Sequence, residues 1–325
     1  MNEEWDILMK ESPTATWFQS EEAWAFYNQC PEWMTPFHTE VRRGREITGM
    51  LTGYITKEAS WKQRFSCRAV INGGPLLRAD ATDAEVRELL ETTEAEVKRL
   101  SKGLIIYIET RNFVDLSPWK KAFEQAGWEY QPHYDIHVDC SNAETMWERF
   151  HDSKKRAIQA AIGDRINDEL NREQSSLNDA NDELAITQWY ALLEELYRTK
   201  VHRPLWRQAF FERAIESGVG KLLVVTDDKK QVTGGMFVVE DEKRVYEWYV
   251  VGTVMATYAG LQYAAQHKKQ IFDFMGAGEP CKPYGVRDCK MQFGGELKEL
   301  GRWIRVCKRG YYNFGKFIVN ANILG

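Results

Sequence analysis

The chain has 325 residues, with 43 Lys and Arg against 48 Asp and Glu and 43% apolar residues. That balance belongs to a folded protein of one large or two medium domains and excludes disordered, collagenous and coiled-coil chains. The net charge of −5 hides an asymmetry: the last 45 residues hold nine cations (Lys282, Arg287, Lys290, Lys298, Arg302, Arg305, Lys308, Arg309, Lys316) and three acids (Asp288, Glu296, Glu299), a +6 tail on a body of −11. A basic segment on an acidic body suits an anionic partner such as a phosphate, a nucleic acid or a lipid headgroup.

The opening Met1-Asn2-Glu3-Glu4-Trp5-Asp6 is acidic where a signal peptide is basic and then apolar, so no export signal is read. No stretch approaches the ~18 apolar residues of a membrane span. Cys30, Cys67, Cys140, Cys281, Cys289 and Cys307 show no Cys-x-x-Cys spacing and no His at zinc-site spacing, so they read as reduced cytosolic thiols and no metal is implied. Twelve Trp and 14 Tyr suit core and cleft lining.

In chain order, Leu8–Gln29 carries a helical pattern opened by Pro13, and Ile47–Thr56 and Phe65–Ile71 read as strands, the second ending at the turn Gly73-Gly74-Pro75. A helix is specified from Thr82 to Lys102, with Val86, Leu89, Leu90, Val97 and Leu100 on one face and Gly103 ending it. Leu104–Glu109 is a strand, Pro118–Ala126 a short helix and Tyr134–Val138 a strand. The order then recurs. Thr145–Ile162 reads as one helix, Gly163–Leu184 as a polar excursion, and Ile186–Thr199 and Trp206–Ser217 as helices. Lys221–Asp227, Gly234–Glu240 and Val245–Val251 read as strands, Thr257–Lys268 as a helix, and Ile271–Met275 and Glu299–Cys307 as strands. This predicts one mixed α/β architecture used twice.

The most specific stretch is Phe272-Asp273-Phe274-Met275-Gly276-Ala277-Gly278, followed by Tyr284-Gly285-Val286-Arg287-Asp288-Cys289-Lys290-Met291-Gln292-Phe293-Gly294-Gly295-Glu296. With Trp248-Tyr249 and the Lys154-Lys155-Arg156-Ala157-Ile158 helix, it resembles the Fem-type peptidoglycan-bridge aminoacyltransferases. Their Lys-x-x-Phe-Gly pattern after a Gly-rich turn is matched at Lys290, Phe293 and Gly294. The resemblance implies two tandem acetyltransferase-like (GNAT-like) modules, at 1–143 and 144–308, with a C-terminal helix at 309–325 packing back on the first. It also implies transfer of an amino acid from aminoacyl-tRNA to an amine of a nucleotide- or lipid-linked cell-wall precursor peptide, in the cytoplasm or at the inner membrane face, with no cofactor.

The resemblance gives Lys290 a place in the reaction cleft, where an ammonium stabilises an oxyanion or holds donor phosphate; outside such a motif it reads as a solvated surface lysine. Glu247 and Asp273 are the nearest carboxylates and are candidate proton acceptors or structural hydrogen-bond partners. Arg287 reads equally as a phosphate contact or a turn ion pair with Asp288. Lys154, Lys155 and Arg156 read as a pyrophosphate site or as the wet face of their helix. Trp248 is placed with Tyr246 and Val250 on one strand face, opposite Glu247 and Tyr249, so one set lines a cleft. Phe293, Trp248 and Tyr249 complete the expected substrate contacts. The helix at Thr253-Val254-Met255-Ala256 lacks the Gly-rich pyrophosphate loop of CoA-binding acetyltransferases, which argues against CoA. Two other readings stay open: an acyltransferase using acyl-CoA or acyl carrier protein on a small amine or polysaccharide, and a non-catalytic binder of anionic ligands.

Overall fold

The computed structural model describes residues 3–57, 66–162 and 183–323, with side chains to Phe317 in the last helix. Phe65 and all but the last two positions of the expected Gly163–Leu184 excursion lie outside the described residues. Two compact units divide the chain: Met1–His133 with Glu299–Gly325, and Tyr134–Lys298.

In the first unit, Pro13 and a 3-10 turn at Trp17–Gln19 split the expected first helix into α1 (Glu3–Glu11) and α2 (Glu21–Asn28). Ser20 caps α2, its hydroxyl accepting from Ala23 N at 3.1 Å. β1 (Met34–Arg43), which the sequence pattern does not announce, forms a hairpin with β2 (Glu46–Thr56) around Gly44 at φ +66. Pro36 disguised it; the proline is tolerated because β1 is an edge strand. β3 (Arg68–Asn72), β4 (Leu76–Leu77), α3 (Asp83–Leu100), β5 (Tyr107–Arg111), α4 (Lys120–Gln125) and β6 (Glu129–Gln131) follow. A reciprocal Thr82–Glu85 capping box opens α3, and Val86, Leu89, Leu90 and Val97 bury its apolar stripe in the same core as Phe37, Leu51 and Ile108.

The second unit begins at β7 (Tyr134–Asp139) and continues with α5 (Ala143–Glu148) and α6 (Asp152–Ile162), where one helix was expected. The break is fixed by a neighbouring turn: His151 N donates to Gln292 O at 2.8 Å, and a Cβ on Gly294 would lie 2.6 Å from Arg149 O. Then come α7 (Glu183–Leu196), α8 (Gln208–Glu216), β8 (Lys221–Thr226), β9 (Val232–Glu240), β10 (Arg244–Val251), α9 (Val254–Gln266), β11 (Ile271–Asp273), α10 (Gly285–Met291) and β12 (Glu296–Glu299). The chain closes with β13 (Arg302–Val306) and α11 (Arg309–Ile323) in the first unit.

The two sheets repeat one plan. Their orders are β1-β2-β3-β5-β13-β6, with β4 on β2, and β8-β9-β10-β11-β7-β12. In each, three antiparallel strands are followed by a parallel pair, β3 with β5 or β10 with β11, whose crossover contains α3 or α9. Each then takes an antiparallel strand from beyond the expected module boundary: β7 lies in the second sheet and β13 in the first. The expected divisions at 143/144 and 308/309 therefore differ from the observed units by these exchanged strands. Glu299–Cys307, read as one strand, holds the end of β12 and all of β13, which lie in different sheets. In α11, Tyr312 packs with Ile106 and Ile304, and its hydroxyl accepts from Gln131 Nε2 at 3.1 Å. Among the described residues no helix is long and apolar enough to cross a membrane.

Candidate active site

Parallel pairing of β10 with β11 covers only Arg244–Tyr246 against Ile271–Asp273, although β10 runs on to Val251. Beyond Asp273 the chain turns away through Met275 (φ 52) and Gly276 (φ 120), the latter a conformation suited to glycine. Lys290, on α10, reaches into the place where the pairing stops. Its Nζ donates to Glu247 Oε1 at 2.8 Å, Phe274 O at 2.8 Å and Gly276 O at 3.3 Å, and lies 5.0 Å from the centre of the Phe274 ring. The Lys290 side chain is 14% exposed and that of Glu247 3%. All three ammonium donors are thus engaged, the third most weakly. Burial raises the Glu247 carboxyl above its ordinary range, an effect the Lys290 ammonium only partly offsets, and Oε2 has no hydrogen-bond partner.

A β-bulge between Glu247 and Tyr249 breaks the expected alternation along β10. Tyr246 partners Val239 and Tyr249 partners Phe237, two positions that share a face of β9, whereas Glu247 partners Val238 on the other. Trp248 and Tyr249 are half-buried in an aromatic layer: the Trp248 ring lies 5.5 Å from Phe210 and Tyr249 5.0 Å from Phe211.

Asp273 does not join Lys290. It is fully buried, and as the register partner of Tyr246 and His137 it occupies the sheet face opposite Glu247. There it meets two residues that the sequence reading passed over. Asp135 and His137 alternate along β7, while Ile136 and Val138 turn to the core on the other face. His137 Nε2 is 3.3 Å from Asp273 Oδ2 and 4.0 Å from Asp135 Oδ2. Burial, and then the Asp273 charge, push the Asp135 carboxyl well above the carboxylate range. Burial alone would lower His137, but Asp273 and Asp135 together raise it. The available signal was Asp135-Ile136-His137-Val138-Asp139, in which polar residues alternate through an otherwise buried strand.

The other expected contacts take structural positions. Arg287 donates to the carbonyls of Glu279 at 2.9 Å and Lys282 at 2.6 Å, holding the loop after the Gly-rich turn instead of pairing with Asp288. Phe293 is 1% exposed and packs edge-on against Phe150 in the core, so its ring is closed to a ligand in this conformation. Lys154 Nζ donates to Cys289 Sγ at 3.0 Å and Lys155 Nζ to Glu148 O at 2.9 Å, while Arg156 is exposed on α6.

No protein-family model and no curated protein sequence matches the chain. Solved structures do resemble it. FemX aligns over 97% of this chain and 98% of its own, with TM-score 0.64 and 13% identity. The chain has the FemX fold. L-PGS from Bacillus licheniformis aligns at TM-score 0.51 and 13% identity over 99% of this chain and 96% of its own. The N-myristoyltransferase of Saccharomyces cerevisiae, solved with myristoyl-CoA, aligns at 0.50 and 11% identity over 93% and 76%. With its two mixed sheets of one strand plan, the FemX fold here is a tandem pair of mixed α/β modules.

Proposed function

We propose that this protein is an N-acyltransferase that moves an amino acid from aminoacyl-tRNA to an amine of a peptidoglycan precursor peptide. The observation that carries the reading is the buried Glu247–Lys290 pair, set where β10 and β11 stop pairing, on a fold shared with FemX along nearly the whole chain. The acceptor amine attacks the ester carbonyl, forming the C–N bond, and the negative charge gathers on the carbonyl oxygen. Lys290 exchanges its 3.3 Å bond to Gly276 O for that oxygen. Glu247 Oε2, unpartnered and with a raised affinity for protons, takes the proton from the attacking amine. As the C–O bond to the ribose breaks, that proton passes to the leaving oxygen. Arg287 keeps the Gly276–Tyr284 loop in place through its bonds to the Glu279 and Lys282 carbonyls.

The test is a reconstituted transfer assay with a charged-tRNA pool and a soluble nucleotide-linked precursor peptide. Amide formation that requires Lys290 is the expected result. Absence of transfer with every charged tRNA, together with tight calorimetric binding of acetyl-CoA, would replace the donor with an acyl-CoA.

A further inference from the structure

Asp135, His137 and Asp273 offer one ligand atom each, and these atoms all lie within 4.8 Å of one another. Asp135 is 3% exposed and Asp273 0%. Both carboxylates are oriented through their other oxygen: Asp135 Oδ1 accepts from Ile136 N at 2.7 Å and Gly276 N at 2.9 Å, and Asp273 Oδ1 from Met275 N at 2.7 Å. That leaves Asp273 Oδ2 facing His137 Nε2 at 3.3 Å, yet neither atom makes a hydrogen bond. Leaving a buried polar atom unsatisfied costs about 1–3 kcal/mol, and more for a charged group. Arg244 also feels the Asp273 charge, but it is shared with Asp241.

We propose that Asp135, His137 and Asp273 bind one divalent first-row transition-metal cation. Two carboxylates and a neutral imidazole cancel its charge and give a mixed oxygen and nitrogen set suited to Zn2+, Co2+ or Mn2+. Metal–ligand distances of ~2.0–2.2 Å in a tetrahedral site place neighbouring ligand atoms about 3.3–3.6 Å apart. The 3.3 Å separation already fits, and a small rotation of Asp135 brings in its 4.0 Å contact. The backbone bonds to Oδ1 fix the ligands from behind, as outer-shell partners do. Partial exposure of His137 leaves a fourth position for water. The same carboxylates hold Met275 N and Gly276 N, so the cation would stiffen the turn whose carbonyls grip Lys290. The proposal stands without the acyl-transfer reading, and its test does not measure transfer.

The test uses the full chain with Cys281→Ser and Cys289→Ser, which removes the exposed thiols, stripped with chelator and dialysed against Zn2+ or Co2+. One equivalent should bind, Co2+ should show visible bands of a low-symmetry oxygen and nitrogen site, and Zn2+ should raise the melting temperature. Asp273→Asn should weaken binding by at least the 10–100-fold typical of losing even an outer-shell partner. If that variant does not fold, His137→Gln, at a partly exposed position, carries the same expectation. No binding of either ion to the folded parent overturns the proposal, as does stoichiometric binding that His137→Gln leaves unchanged.

Discussion

The third residue of β5 and the third residue of β11 occupy matching places in the two sheets, and both are buried carboxylates, Glu109 and Asp273. Their surroundings differ. In the first unit the parallel pair is zipped through five positions, Arg68–Asn72 against Tyr107–Arg111, and Glu109 lies 3.0 Å from Arg111 and 3.7 Å from Arg68. In the second the pair stops after three positions, and Asp273 shares one imidazole with a second carboxylate. One fold thus supplies a version closed around its carboxylate by two arginines and an opened version in which the facing carboxylate oxygen and imidazole nitrogen make no hydrogen bond. The lesson is that a buried charge marks a candidate site through what fails to satisfy it, not through burial itself.

The largest expected effect separates chemistry from stability across the two units. Lys290→Ala should lower kcat by about 10²–10³, as loss of an oxyanion donor does. It should also destabilise the chain by about 3–5 kcal/mol, because Glu247 is left as an unpaired buried charge. Arg111→Ala should cause a similar destabilisation, read from urea melts, while single-turnover rates of the folded fraction hold. Equal kinetic losses in both variants would break the contrast between the units.

Next in size is Phe293→Ala, expected to lose about 3–5 kcal/mol for an emptied core position. A rise in KM with unchanged denaturation midpoint would instead restore Phe293 as a substrate contact. Acid should act on the closed cluster too. Burial favours protonation of Glu109, but Arg111 and then Arg68 outweigh it and lower its pKa from 4.5 to about 2. A depressed carboxylate contributes its full stability above the unfolded value of 4.5 and loses it as pH falls towards 2. Glu109→Gln should therefore flatten the acid limb of a stability-versus-pH curve in that window; an unchanged limb would remove Glu109 as its source. The smallest effect concerns the tail. Lys316→Gln should change the slope of log binding constant for tRNA against log salt by no more than about one, leaving kcat untouched; a larger change would make α11 a principal anion contact.

Much of the architecture was legible because it is local. The α3 stripe and its Thr82–Glu85 box, the β8–β10 run and the doubled element order all follow from period and capping. What the pattern did not carry is long-range: β7 reads as a strand and β13 as part of one that also takes in the end of β12, but their sheets are chosen by partners far along the chain. Pro36 concealed β1, and the bulge at Glu247–Tyr249 defeated simple alternation, since one inserted residue reverses the faces after it. At the site, the Gly-rich turn and Lys290 point to the loop whose carbonyls bind the Lys290 ammonium. Asp273, three-dimensionally, belongs with Asp135 and His137 across the sheet, a grouping that only the β7–β11 register creates.

The central claim is that the opened strand pair of the second unit, held by Glu247 and Lys290, is where acyl transfer occurs. Its most direct test is single-turnover transfer from charged tRNA to precursor amine by Glu247→Gln, measured across pH alongside the parent. Loss of the Oε2 proton acceptor should slow amide formation by about 10²–10⁴ and remove the ascending limb of the parent's rate profile. A Glu247→Gln variant that folds and transfers at the parental rate with the same pH profile would contradict the account.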